Sequence, residues 1–189
     1  TYGGGTPRCI LDKISSVVIS CRECRAWAVA GNATISSLSL PERFNQHVEV
    51  DLMFYKMFII FHMLDRCSRW HAGKIIDDKF EQTLLNAIHE AWIAIFGNME
   101  NLYTDGESGL TSNNAKEHFK RHGIILKVRA PEQHAHFVER RGAILRVCMH
   151  VIEEQCKREG ISISMQMLLS TALFCGNALT TVGQTTPYQ

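Results

Sequence analysis

The sequence predicts an α/β domain built on a mixed β-sheet with helices packed on its faces. Residues 47–76 alternate between apolar and polar side chains with the period of strands, whereas residues 78–97 and 138–180 repeat apolar positions with the period of helices. Shorter segments between them complete the order βββ-α-β-α-β-α-α. Elements in this order form a layered structure, and about five strands are expected in the sheet.

Three strands are predicted to form a meander at the start of the domain. The first, His47–Tyr55, has an apolar side chain at every second position and carries Asp51 in its middle. The other two are Met57–Leu64 and Arg69–Ile76, with a polar turn between them. Two shorter strands follow later in the chain, one that ends at Asp105 and one over Ile124–Val128.

The helical pattern has four parts. An apolar stripe that includes Phe80, Ile88 and Ile95 begins after Asp78 and is ended by Gly97, a residue type common directly after helices. The other predicted helices are a short polar one over Ser112–Gly123 and two long ones over about Val138–Glu159 and Ser162–Thr180. The last helix is apolar on most of its circumference, which predicts burial in the domain or against a second copy of the chain.

The composition indicates a globular protein with unevenly distributed charge. The chain has 189 residues, 46% of them hydrophobic, and a net charge of +1, which excludes a disordered chain and a strongly basic or acidic tail. Residues 77–107 carry seven acids and one base, whereas residues 116–146 carry eight bases and three acids. An odd number of cysteines and the lack of a long apolar run favour a reducing intracellular location and no membrane partner.

A change in composition near the start divides the chain. Residues 28–43 are rich in small and polar residues and contain Pro41, so we interpret them as a linker. We therefore expect a small N-terminal element over residues 1–27 and the main domain over residues 44–189. The N-terminal element contains Cys21 and Cys24, two cysteines with the spacing of a zinc half-site.

Three acidic residues occupy positions that suggest a functional role rather than a purely structural one. Asp51 lies in mid-strand, where an unpaired carboxylate is costly to bury. Asp105 ends a strand at the edge where such sheets bind ligands, and Glu139 begins a helix. If the first and fourth strands are neighbours, the carboxylates converge, and two Mg²⁺ or Mn²⁺ ions bound there would support phosphodiester chemistry. The alternatives are that Asp105 forms a turn and that Glu139 interacts with the helix dipole.

Eight short motifs follow one another along the chain: Cys21–Arg25, Leu40–Phe44, Val48–Leu52, Leu64–Trp70, Tyr103–Glu107, Ala130–Ala135, Val138–Arg141 and Thr181–Tyr188. In this order they resemble the integrases of long-terminal-repeat retrotransposons and retroviruses. The resemblance implies a ribonuclease-H-like fold in which Asp51, Asp105 and Glu139 match the family's three acids and bind two Mg²⁺ or Mn²⁺ ions. It also implies 3′-end processing of double-stranded DNA, followed by strand transfer into target DNA.

Basic residues next to Glu139 are expected to contact the DNA. Arg140, Arg141 and Arg146 share its helix, where they could bind phosphates. His134, in the preceding loop, is expected to contact the substrate.

The resemblance also implies a zinc-binding role for the N-terminal element and an oligomeric state for the protein. Cys21 and Cys24 match the second half of the family's His-His-Cys-Cys zinc site, so residues 1–27 are interpreted as the remnant of a zinc-binding domain, with Zn²⁺ bound in the full-length protein. A homodimer or larger assembly, acting in the nucleus or in a virus-like particle, is implied as well. Two alternatives remain open, namely a captured non-catalytic module that binds DNA or protein, and a nuclease of the same fold that cleaves RNA–DNA hybrids.

Overall fold

A five-stranded mixed β-sheet forms the centre of the protein. The computed structural model describes residues 12–13, 16–17, 19–23, 41–129, 136–180 and 186–188. The strands are β1 (His47–Tyr55), β2 (Phe58–Asp65), β3 (His71–Ile76), β4 (Asn101–Thr104) and β5 (Ile125–Val128). They lie in the order β3-β2-β1-β4-β5, with β1, β2 and β3 antiparallel and with β4 and β5 parallel to β1. The predicted meander and the mixed sheet are confirmed.

Helices cover both faces of this sheet. From residue 41 onward, the α-helices of the described residues are α1 (Glu81–Ile88), α2 (Ala94–Phe96), α3 (Ser108–Thr111), α4 (Asn113–Arg121), α5 (His136–Arg158) and α6 (Met165–Leu179). None of these helices is long and apolar enough to cross a membrane.

One helix differs from the sequence prediction. A π-helical segment, His89–Ile93, joins α1 to α2 where one continuous α-helix was expected. Its wider turn accommodates an additional residue and so rotates the residues that follow. Ile95, which was expected on the apolar stripe, is 66% exposed, and this part of the prediction is wrong. Phe80 was also expected on the stripe but is 74% exposed, because it is the residue directly before α1 rather than part of the helix.

Strand β1 contributes to two apolar layers, one on each face of the sheet. Val48 and Val50 pack with residues of α1 and the π-helical segment. Met53 and Tyr55 pack on the other face with residues of α5 and α6. Because neighbouring strand residues point to opposite faces, Asp51 shares the face of Met53, on the side of α5.

Helices α5 and α6 form the layer on that second face. Helix α5 packs on β1 and β2, and α6 packs on β3 and on α5. The inner side of α6 is buried at Leu168 and Leu169, whereas Met167 and Phe174 are 60% and 58% exposed. The N-terminal end of α5 is thereby brought to the central strand.

Candidate active site

The three acids singled out by the sequence are placed by three different elements. Asp51 lies within β1, Asp105 directly follows β4, and Glu139 is in the first turn of α5. Strands β1 and β4 are parallel neighbours in which Glu49 pairs with Tyr103. Two residues further along, Asp51 comes level with Asp105, because parallel strands advance together. The strand pairing on which the expected convergence depends is therefore present.

The carboxyl group of Asp51 lies in the field of the other two acids. Burial raises its pKa most strongly, while a hydrogen bond from the backbone N–H of Leu52, 2.7 Å long, lowers it. The negative charges of Asp105 and Glu139 raise this pKa further, and the positive charge of Arg129 lowers it. The charges of Asp105 and Glu139 thus act unfavourably on ionised Asp51, and a divalent cation bound there would relieve this repulsion.

A pocket of about 240 Å³ opens beside Asp51 and Asp105. Gly106, in its wall, has a φ of 91°, a backbone conformation that glycine adopts without strain. Glu107 also lines the pocket, and its Oε1 lies 3.5 Å from Nζ of Lys79. Sequence reasoning left Glu107 outside the site, although it forms part of this wall.

Two buried residues that sequence reasoning left outside the site connect the acids. Glu49 is 1% exposed, and the side chain of Arg129 is 9% exposed. Nη2 of Arg129 lies 2.6 Å from Oε1 of Glu49, and its Nη1 donates to Oδ1 of Asp105 at 3.0 Å. The signal for Glu49 was its position two residues before Asp51, on the same face of β1. Arg129 had no comparable signal, because its partners are remote in sequence.

His62 approaches Asp51 from the neighbouring strand. The two residues pair in the β1–β2 register, and Nε2 of His62 lies 3.8 Å from Oδ2 of Asp51. Nδ1 of His62 lies 3.0 Å from Nε2 of His71. Burial lowers the pKa of His62 to about 3 and lowers that of His71 well below its ordinary value, so both rings are neutral at neutral pH.

The arginines expected to contact DNA differ in exposure. Arg140 and Arg146 are exposed on α5, whereas Arg141 is 5% exposed. Nη2 of Arg141 donates to the carbonyl oxygen of Gly176, at 2.9 Å, in the last turn of α6, and burial lowers the pKa of its guanidinium. Successive helix residues are about 100° apart, so Arg140 and Arg141 point in different directions. The prediction that Arg141 contacts DNA is therefore wrong, because its side chain packs inside the protein.

The remaining predicted site residues lie at the margins of the described structure. His134 and Cys24 are outside the described residues. Sγ of Cys21 donates to Oε2 of Glu23 at 3.4 Å, and Glu23 forms an ion pair with Arg158, at 2.7 Å, at the end of α5. The zinc half-site therefore stays a prediction.

The resemblance seen in the sequence implies Mg²⁺ or Mn²⁺ ions at these three acids. Among the described residues, no three His, Cys, Asp or Glu side chains are grouped closely enough to hold a metal ion. Oδ1 of Asp105 accepts a hydrogen bond from Nη1 of Arg129, at 3.0 Å. The donor chemistry does fit, because Asp51, Asp105 and Glu139 offer carboxylate oxygens, which Mg²⁺ and Mn²⁺ prefer. Their mutual repulsion at Asp51 is of the kind that such an ion removes.

The chain resembles known proteins in its three-dimensional structure, although the sequence comparisons found no match. No protein-family model and no curated protein matches the chain. The catalytic core domain of HTLV-2 integrase, solved in complex with magnesium, matches with a TM-score of 0.67 and 17% identity over 77% of this chain and 95% of that chain. The catalytic core domain of BIV integrase matches with a TM-score of 0.63 and 18% identity, over 76% and 91% of the two chains.

A larger assembly also contains this architecture. A chain of the simian T-cell lymphotropic virus intasome matches with a TM-score of 0.72 and 18% identity, over 98% of this chain and 70% of that chain. Together, these likenesses identify the fold as that of a retroviral integrase catalytic core, with its ribonuclease-H-like sheet. The expected fold class is confirmed for the main domain.

Proposed function

We propose that this chain, which has the fold of retroviral integrase catalytic cores, is the catalytic core of a retroelement integrase. The reaction is phosphodiester transesterification on double-stranded DNA. Water attacks in 3′-end processing, and a DNA 3′-hydroxyl attacks in strand transfer. The observation that carries the proposal is that Asp51 and Asp105 come level on the paired strands β1 and β4 and line one pocket, while α5 packs on β1 and carries Glu139 in its first turn.

Asp51, Asp105 and Glu139 are the residues that would hold two Mg²⁺ or Mn²⁺ ions. Such ions, when bound, activate the attacking oxygen and stabilise the leaving oxygen on phosphorus. The chain itself supplies acids held on three elements, so that no single flexible loop carries the site. Arg129 holds Oδ1 of Asp105 and thereby fixes the rotation of that carboxylate.

The DNA is bound next to these acids in this proposal. Arg140 and Arg146 are exposed on the helix that carries Glu139, where their guanidinium groups can bind phosphates and orient the scissile bond. Gly106 has no side chain, so a DNA strand can approach the backbone next to Asp105. We assign His134, which precedes α5 in the sequence, to the same proposed surface.

Assembly and location are part of the same proposal. The HTLV-2 core was solved in dimeric and trimeric forms, and the simian virus structure is an intasome. Helix α6 exposes Met167 and Phe174, which a homodimer or larger assembly could cover. We further propose that the full-length protein binds Zn²⁺ through Cys21 and Cys24, and that it acts in the nucleus or in a virus-like particle of a retrotransposon or retrovirus.

Strand joining tests the function directly. The full-length protein is incubated with labelled DNA ends, target DNA and Mg²⁺, and the assay is repeated with Asp51→Asn and Glu139→Gln. Both variants should lose end processing and strand joining. Glu117→Gln, which removes an exposed carboxylate on α4, should retain both activities and serves as the control. Full activity of Asp51→Asn would contradict the proposal.

The two alternatives give different results in this assay. A captured non-catalytic module, which the contact between Asp105 and Arg129 would suit, binds DNA but leaves it uncut even as wild type. A ribonuclease-H-like nuclease cleaves labelled RNA–DNA hybrids and joins no strands. Either result would replace the integrase proposal.

A further inference from the structure

Glu49 stands at the meeting point of the elements that carry the three proposed metal ligands. It lies on β1, two residues before Asp51 and on the same face of the strand. It is 1% exposed, so its carboxylate is almost completely removed from water. A buried carboxylate requires several partners, and the identity of these partners shows what the residue holds together.

The first partner is the start of helix α5. The backbone N–H of Val138 donates to Oε2 of Glu49 at 2.9 Å. Val138 immediately precedes Glu139, and a carboxylate at this end of the helix also interacts favourably with the helix dipole. Glu49 thereby fixes the distance between β1 and the turn that carries Glu139.

The second partner leads to Asp105. Oε1 of Glu49 lies 2.6 Å from Nη2 of Arg129, whose Nη1 donates to Oδ1 of Asp105 at 3.0 Å. The backbone N–H of Arg129 also donates to the carbonyl oxygen of Thr104, at 3.0 Å, so both ends of this residue are attached next to Asp105. Arg129 therefore links Glu49 to Asp105 without an intervening flexible segment.

A third partner completes the arrangement. Nε of Arg66 lies 3.2 Å from Oε1 of Glu49, and the Arg66 side chain is 13% exposed. The guanidinium of Arg66 lies over the rings of Tyr103 and Phe137, with its central carbon 5.2 Å and 5.3 Å from their centroids. Tyr103 belongs to β4 and Phe137 to the first turn of α5, so Arg66 joins Glu49 to both of these elements.

We propose that Glu49 and Arg129 are positioning residues that hold Asp105 and Glu139 in a fixed relation to Asp51, so that the three carboxylates bind divalent cations together. This inference rests on the proposed function. A purely structural ion pair would end at Arg129, whereas here the second arm of the guanidinium binds one of the three acids. Removing either residue should therefore weaken cation binding in a protein that is still folded.

Two variants of the chain test this role with a readout other than activity. Glu49→Gln keeps the size of the side chain and an acceptor for Val138 but loses the charge that orders Arg129. Arg129→Lys keeps the positive charge but cannot bind Glu49 and Asp105 in the same fork. Mn²⁺ affinity is measured by calorimetry on the metal-free protein, and the amide proton of Val138 is followed by NMR as a reporter of its bond to Glu49.

Residues that orient metal ligands typically contribute about 10–100-fold in metal affinity. We expect Glu49→Gln to weaken Mn²⁺ binding by about tenfold or more and to move the Val138 amide resonance upfield, and Arg129→Lys to weaken binding by a smaller factor. Glu153→Gln is the matched control, because Glu153 is also a mostly buried, ion-paired carboxylate, bound to Lys56 and Tyr55 away from the acids. Its Mn²⁺ affinity should equal that of the wild type.

The possible failures can be told apart. Unchanged Mn²⁺ affinity in folded Glu49→Gln or in Arg129→Lys would overturn the positioning role and leave the proposed function intact. If Glu49→Gln fails to fold, Arg129→Lys alone decides the result. Absence of Mn²⁺ binding in the wild-type protein would overturn the positioning role and the proposed metal site together.

Discussion

Replacing Arg141 by methionine should lower the stability of the protein and leave its affinity for DNA unchanged. The guanidinium is 5% exposed and donates to the carbonyl oxygen of Gly176 at 2.9 Å. A hydrogen bond from a charged group contributes about 1.5–3 kcal/mol to stability, and relief of the buried charge offsets part of this loss. We expect the free energy of unfolding to fall by about 1–2 kcal/mol, which lowers Tm by about 2–4 °C per kcal/mol in a domain of this size.

Arg140 provides the comparison, because it is the adjacent residue and is exposed. If it binds one phosphate, Arg140→Met should reduce the slope of log affinity against log salt concentration by about 0.9 and leave Tm almost unchanged. Binding is measured by fluorescence anisotropy on labelled duplex DNA over a series of salt concentrations without Mg²⁺ or Mn²⁺. Unfolding in urea gives the stability of both variants.

Arg141→Met should therefore lower stability without changing the salt dependence of DNA binding, and Arg140→Met should do the reverse. A reduced salt slope in Arg141→Met, with stability unchanged, would refute the assignment of Arg141 to the interior. Equal slopes for wild type and Arg140→Met would show that Arg140 makes no phosphate contact, and would weaken the proposed DNA surface on α5.

Two further predictions concern the interior. In the unfolded chain, His62 has its ordinary pKa of 6.5 and is protonated as the pH falls below that value. In the folded protein its pKa is about 3, so the ring stays neutral at pH 5. The contribution of neutral His62 is therefore fully present above pH 6.5 and is lost as the pH falls, by about 2 kcal/mol at pH 5. His62→Gln should lose correspondingly less stability in urea unfolding between pH 7 and 5, and equal losses would contradict this. Gly109→Ala would place a Cβ 2.8 Å from Cδ1 of Leu84 and 2.9 Å from the carbonyl oxygen of Lys79, so it should lower the free energy of unfolding by about 1–3 kcal/mol; an unchanged urea midpoint would contradict it.

The part of the fold that could be predicted from the sequence is the part specified by local periodicity. The alternation in β1 identified the strand and placed Asp51 in its middle, because side chains two residues apart lie on the same face of a sheet. The stripes of α5 and α6 were visible because a helix packed on one side buries residues three and four positions apart. The π-helical segment could not be anticipated, because no local pattern distinguishes its hydrogen bonds from those of an α-helix.

The candidate site was predictable only in its acids. Asp51 was found because a carboxylate is costly in mid-strand, and Asp105 and Glu139 were found because together with Asp51 they match the three acids of the integrase family. The connection from Glu49 through Arg129 to Asp105 joins residues that no periodicity relates, so it required the tertiary structure. Arg141 was misassigned because a run of basic residues does not reveal which of them faces inward.

The two-sided packing of β1 limits how this protein can change. A substitution in the strand affects one side chain, but insertion or deletion of a single residue before Asp51 would turn every following side chain to the opposite face. Apolar residues would then exchange layers, and the carboxylate would point toward α1. Changes in length should therefore be tolerated in loops but not in this strand or in the buried strand β2. A library of single-codon insertions across residues 41–65 should yield functional clones only outside residues 47–55 and 58–65.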